Sequence, residues 1–361
     1  MAMLSSTLKG RVLKFQSTAL EPNELLVASF RGREAISTPY RYEIDLVSSR
    51  LDLDIEAILK APCFLGIKQG VMVGPTKRGI RSLRINGAVA NMEQCGRAAS
   101  WGMYRVVLEP RLARLRLNIQ TRLFLEKKVP EIVEEVLKAA GFSTADFEMR
   151  LSAGPYPKRE YVVQYQESDL HFIQRILEHE GIYYFFEQDE EKEIVVFADS
   201  STGAKPLPAP ETFPYRGAGQ GAHSGGWFED ECVRDFTYRR TMIQSEVALR
   251  DYNYRTPSTD LSASSPASKA GFGRLYEYGG HYKDAGEGKA LAKVRAEELV
   301  CREKLFVGSS DIRSFSPGFT YTLSDHFRGD HNRSYLLVEV THEGTQALEL
   351  TGSAAIAKAT Y

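Results

Sequence analysis

Imidazole and carboxylate groups crowd together in YVVQYQESDLHFIQRILEHEGIYYFFE, Tyr161 to Glu187. Such groups could ligate zinc or relay protons, but their spacing fits neither role. A zinc-protease helix carries histidines at i and i+4 with a glutamate after the first, so that both ligands share a face. His171 and His179 are eight positions apart, and Glu180 and Gly181 follow the second. Cys63, Cys95, Cys232 and Cys301 contain no C-x-x-C pair of the zinc or redox kind and are expected as buried free thiols. GAGQGAHSGG nearly spells a phosphate-binding loop, yet the following WFEDECVRDFTYRRT alternates as a strand where a helix is needed. Ser224 sits in no G-x-S-x-G elbow, because Ala222 stands two positions before it. Arg328-Gly329-Asp330 reads as turn chemistry. No residue is assigned as catalytic, cofactor-binding or metal-ligating, and no cofactor is expected.

These residues must be held by elements, and the patterns name them. YVVQY alternates as a strand, Ser168 is placed to cap the helix DLHFIQRILEHE, and Gly181 releases it into the strand IYYFFE. Leu170, Ile173, Ile176 and Leu177 form the buried stripe, which puts His171, Arg175, Glu178 and His179 on the solvated side. This stretch is scaffold. Upstream, LLVASFRG, YRYEIDLV, FLGIKQGVMVG, LRINGAVANM and MYRVVLEP alternate as short antiparallel strands. One helix interrupts them, DLDIEAILK, with Ile55, Ile58 and Leu59 on one face before Pro62.

EPRLARLRLNIQTRLFLEKK has six basic residues against two glutamates. Leu112, Leu115, Leu117 and Ile119 recur closely enough to bury one side and leave the arginines solvated, and only Phe124 offers a stacking ring, so nucleic-acid binding is not expected. VPEIVEEVLKAAGF reads as a helix with Pro130 in its first turn, Ile132, Val133, Val136 and Leu137 inward, and Gly141 as its left-handed cap. KPLPAPETFP and the glycines after it read as a linker or long loop. NYRTPSTDLSASSPASKAGFG reads as an exposed, mobile excursion. KALAKVRAEELVCREKL suits a helix packed through Leu291, Val294 and Leu299, and FTYTLSDHF and YLLVEVTHEG return to β patterning.

The chain of 361 residues exceeds one ordinary core, and two or three units should share it. The fold class is α+β, mostly β. Forty-six Lys and Arg against 47 Asp and Glu leave a net charge of −1, which excludes an overall basic field for nucleic acid or anionic membrane. MAMLSSTLKGRVLKF lacks the apolar run of a signal peptide, so the chain is expected to be made and assembled in the cytoplasm and to leave by another route.

Several blocks carry a family resemblance: YVVQYQESDLHFIQRILEHEGIYYFFE, FRGREAISTPYRYEIDLVS, EPRLARLRLNIQTRLFLEKKVPEIVEEVL, YEYGGHYKDAGEGKALAKVRAEEL and FSPGFTYTLSDHFRGDHNRSYLLVEVTHEG. Their types and order resemble the VgrG spike proteins of bacterial type VI secretion systems (Rhs/Vgr family), which are related to the baseplate hub of contractile-tailed phages. The resemblance implies a structural hub, a homotrimer whose chains each give two similar barrels. With it, the expected division of the chain is 1–118 a first β-barrel, 119–222 a mixed α/β middle, and 223–361 a second β-barrel with a helical and loop insertion. Six barrels then face a hexameric, Hcp-like tube with near-equivalent docking edges. MYRVVLEP and SYLLVEVTHEG share a Tyr, apolar residues and an acid, as two related units would. It also implies baseplate proteins and effectors as partners, and a C-terminal OB-like domain and β-helical needle, where this chain instead ends in TGSAAIAKATY. Two further functions are weighed: a hydrolytic effector-type enzyme, and a carbohydrate or surface-binding module suggested by 18 Tyr and two Trp. A phage-like tail hub is the alternative setting.

Overall fold

The computed structural model describes residues 12–72, 78–154, 156–217 and 231–348. The glycine-rich loop with Ala222 and Ser224, most of the N-terminal stretch and the terminal TGSAAIAKATY lie outside the described residues. Strands come in chain order as β1 (Leu13–Ser17), β2 (Leu26–Ala35), β3 (Thr38–Ser48), β4 (Pro62–Met72), β5 (Arg78–Ala98), β6 (Trp101–Glu109), β7 (Ile119–Lys127), β8 (Phe147–Arg150), β9 (Arg159–Ser168), β10 (Tyr183–Gln188) and β11 (Glu193–Ala198). They continue as β12 (Lys205–Pro206), β13 (Thr212–Pro214), β14 (Val233–Arg240), β15 (Glu246–Asp251), β16 (Leu261–Pro266), β17 (Arg274–Tyr278), β18 (Lys304–Ser310), β19 (Phe319–Ser324), β20 (Ser334–Leu336) and β21 (Glu339–Thr345). The helices are α1 (Ile55–Lys60), α2 (Val129–Ala139), α3 (Asp169–Glu180) and α4 (Ala285–Val300). The fold is mostly β with few helices, and no described helix is long and apolar enough to cross a membrane.

The chain divides into two compact units. The first runs to Ile173 and takes in Tyr183–Val233 and the chain from Ser310 onward. Its main sheet has the order β1-β4-β5-β6-β3-β2-β21. The expected closed barrels are not found among the described residues, because this path is open. Its ends are instead linked by one side chain. The buried Gln346 accepts the backbone N–H groups of Val12 and Leu13 at 2.9 and 2.8 Å through Oε1 and donates through Nε2 to the Val27 carbonyl at 3.2 Å. Of the two similar sequence stretches, MYRVVLEP forms β6 in this sheet, whereas SYLLVEVTHEG is split, its Ser334–Leu336 forming β20 beside β19 in another sheet and its later residues forming β21 in this one. Tyr40, Tyr42, Ile44 and Leu46 alternate inward along β3 and fill its core.

The helices of the first unit follow their capping residues. Asp54 accepts the Ala57 N–H at 3.0 Å to start α1, of which only Ile58 is fully buried. α2 buries Ile132, Val133, Val136 and Leu137 completely and ends at Gly141, whose φ of +85° is the left-handed cap. KPLPAPETFP is not a linker: β12 and β13 both pair in parallel with β19, and Leu207 and Phe213 are buried anchors. Their side chains give this proline-rich stretch a core of its own to join.

The second unit comprises Gln174–Ile182 and Arg234–Ser309. β16, β15 and β17 form a three-stranded sheet, and α4 lies against β15 and β16 through Leu291, Ala292 and Ala296. Part of the expected mobile excursion, Leu261–Pro266, is therefore a strand. Leu261 and Ala263 point into the core while Ser262 and Ser264 point out, the two-residue period of β structure. α4 starts at Asp284, whose carboxylate accepts the Gly286 and Glu287 N–H groups at 2.7 and 2.9 Å. Its packing uses small residues more than the expected Val294 and Leu299, since a Cβ on Gly288 would meet the Tyr282 ring at 2.6 Å.

Candidate functional site

The histidine-bearing stretch takes the predicted local form. Ser168 Oγ accepts the His171 N–H at 3.2 Å at the start of α3. Gly181, at φ +72°, ends the helix, with the Ile182 N–H reaching back to the Leu177 carbonyl at 2.9 Å. His171 is exposed and its Nδ1 lies 3.0 Å from Glu167. His179 departs from expectation: it is only part-exposed, and its Nε2 meets the Gly280 carbonyl at 3.0 Å. The two imidazoles are thus bound to separate local partners. Among the described residues no three His, Cys, Asp or Glu side chains gather as metal ligands. Of the cysteines, Cys63 and Cys232 are buried and Cys95 and Cys301 exposed, against the expectation of four buried thiols. Burial pushes the Cys63 thiol up to about 12, far from a reactive thiolate.

The basic stretch is neutralised from within the fold. Arg116 pairs with Glu109, Arg122 with Asp169, and Arg111 with Asp146 at 3.1 Å. Leu112 and Leu115 are buried as expected, but Leu117 and Ile119 are exposed. Asp146 also accepts Lys192 Nζ and both Ser143 donors, each at 2.7 Å. Burial alone would raise its carboxyl, and these donors with Arg111 outweigh burial and hold it well below the ordinary range. Arg328 and Asp330 pair with each other at 2.8 Å, so the RGD triplet is spent on its own turn.

A cleft of about 340 Å³ opens in the first unit, lined among others by Arg81, Leu83, Arg313, Ser316, Phe319 and His342. Its polar groups converge on Glu34, which accepts Ser316 Oγ at 3.0 Å and the Tyr42 hydroxyl. His342 Nε2 is 3.9 Å away from Glu34, and the ring stacks with Tyr42. Burial lowers the His342 pKa despite Glu34, which leaves a neutral imidazole at pH 7. Serine, histidine and acid are all present here in the wrong order. A hydrolytic serine needs the imidazole as its base, whereas the Ser316 hydroxyl is bound to the carboxylate. Beside it, Glu231 accepts Gln69 at 2.5 Å and Arg313 at 3.0 Å, and burial raises its carboxyl pKa even so. These residues come from β2, β3, β4, β21, the 311–316 segment and Glu231 just before β14, and no local motif announces their meeting.

The phage tail baseplate hub family (GPD) matches residues 33–348. The chain belongs to this family. It is 35% identical over 90% of its length to the type VI secretion system spike protein VgrG5 of Pseudomonas aeruginosa. It spans 39% of that relative, so about two fifths of the length of the curated protein it matches. Among solved structures it is similar to the Escherichia coli c3393 protein, a type VI secretion component described as structurally similar to the T4 tail proteins gp27 and gp5. That likeness has a TM-score of 0.65 at 21% identity and covers 95% of this chain and 74% of the other. The 43 kDa tail protein of prophage MuSo2 from Shewanella oneidensis matches with a TM-score of 0.60 at 10% identity, over 92% and 94% of the two chains. The fold is therefore phage tail hub-like, and the hub resemblance read from the sequence holds.

Proposed function

We propose that the chain is the structural hub of a type VI secretion machine, a trimer that joins the spike to the hexameric inner tube. The observation that carries this is the hub family match over residues 33–348 in a chain 35% identical to a spike protein. The low identity to the prophage tail protein, 10%, favours the secretion setting over a phage particle. Each chain contributes two β units to the ring, so six similar edges meet six tube subunits. The seven-stranded sheet, whose edges Gln346 links, supports one such unit. Assembly takes place in the cytoplasm, the needle and effectors lie beyond this region, and the hub leaves with the tube.

The hub needs no catalysis of its own. Ser316 bound to Glu34 and the separately held His171 and His179 support that reading. Mixing the purified chain with its cognate tube protein and imaging by electron microscopy tests it: threefold density should cap one tube end. Tubes without caps at saturating chain concentration, or hydrolysis of peptidoglycan or lipid that is abolished by Ser316→Ala, would count against the adaptor.

A further inference from the structure

β7 and β9 form a two-stranded ribbon whose faces differ sharply. Register pairs Leu123 with Val163 and Leu125 with Tyr161. Because side chains alternate, Ile119, Leu123, Leu125, Tyr161, Val163 and Tyr165 all project to one side. Each is between 40% and 68% exposed. Thr121 is the one polar residue among them. The other face is firmly seated: Phe124 stacks on Phe172 at 5.5 Å, and the buried Asp169 takes Arg122 and, at 2.8 Å, Gln164. A ribbon pinned this way holds its outer face in a fixed shape.

We infer that this outer face is the contact by which one copy of the chain packs on the next, an inference that rests on the trimeric hub reading above. Six large side chains, each 40% or more exposed, form one continuous apolar face, of the size of the largest patch on a typical monomer, roughly 300–600 Å². Such a face supplies most of the about 800 Å² that one partner brings to a stable interface. The face carries no charge, as at interface cores, and has two tyrosines, which are enriched there. An uncharged surface offers nothing to select a polar partner. A second copy supplies an equal apolar face at equal stoichiometry, and three such ribbons around an axis cover one another.

Sedimentation velocity of the full chain over a concentration series tests this. The unchanged protein should show three times the chain mass of 40.5 kDa. Leu123→Glu and Tyr165→Glu should each shift dissociation about 100-fold toward single chains, the cost of placing charge in an apolar contact. Phe272→Glu, at an exposed position of the second unit, should leave the mass unchanged. Far-UV circular dichroism checks folding, and if the acidic variants unfold, Leu123→Thr should give a weaker shift in the same direction. A trimer indifferent to all three ribbon changes overturns this inference and leaves the hub standing. Single chains at every concentration of the unchanged protein overturn both, and a dimer lost on Leu123→Glu keeps the face but sinks the threefold hub.

Discussion

Gly181 is constrained twice over. Its φ of +72° costs any L-residue, and a Cβ there would sit 2.8 Å from Val294 Cγ1. Gly181→Val should therefore cost about 2 kcal/mol or more, seen as a lower urea midpoint. His171→Gln should stay within about 0.5 kcal/mol, because the imidazole is largely exposed and its ion pair is solvent-screened. His179→Ala should cost about 1 kcal/mol through its carbonyl bond, with Gln in its place restoring most of the loss. Asp146 adds a pH signature. Its native pKa lies below the unfolded value of about 3.9, so its contribution is complete above that value and fades as the pH falls through the native one. Asp146→Asn should destabilise by about 2 kcal/mol at neutral pH, and urea titrations should show parent and variant converging in acid.

Elements were legible where their cause is local. Pro130, Gly141, Ser168 and Gly181 announced helix ends because capping depends on residues within one turn. Pairing of β2 with β21 joins residues some 300 positions apart, such as Arg31 with Glu343, and nothing in either strand's own pattern names its neighbour. The same limit hid the meeting of Glu34, Ser316 and His342, and Leu117 and Ile119 were read as buried but are exposed, because a recurring pattern reveals a face but not what covers it. Leu261 and Ala263 were overlooked for another reason: serine and proline content masked a clear two-residue period. Gln346 is the sharpest case of distant linkage, since one amide satisfies three backbone groups at both ends of an open sheet. Gln346→Leu should keep the volume yet cost about 2–3 kcal/mol by leaving buried N–H and carbonyl groups unpaired. Hydrogen exchange should then rise first at Val12, Leu13 and the edges of β1 and β2; uniform protection would mean the amide is only a spectator.

At the scale of the whole molecule, charge is balanced both in total and in place. The net charge is −1, and three arginines of the 109–128 stretch, Arg111, Arg116 and Arg122, are engaged by Asp146, Glu109 and Asp169. On the proposed adaptor reading, these pairs take the 109–128 stretch out of consideration as a basic patch for the tube, and docking rests on shape, apolar contact and scattered polar groups, which salt screens weakly. Raising ionic strength from about 0.1 M to about 1 M shortens the screening length from roughly 10 Å to 3 Å. A charge-steered contact would lose several orders of magnitude over that range. For this hub the affinity for its cognate tube, followed by biolayer interferometry, should fall by less than about tenfold, or ~1.4 kcal/mol. Because electrostatic steering acts on encounter, the association rate should change little as well. A steep salt dependence confined to the association rate would place the tube contact on a charged surface. The balance that the arginine pairs achieve within the fold would then have no bearing on docking.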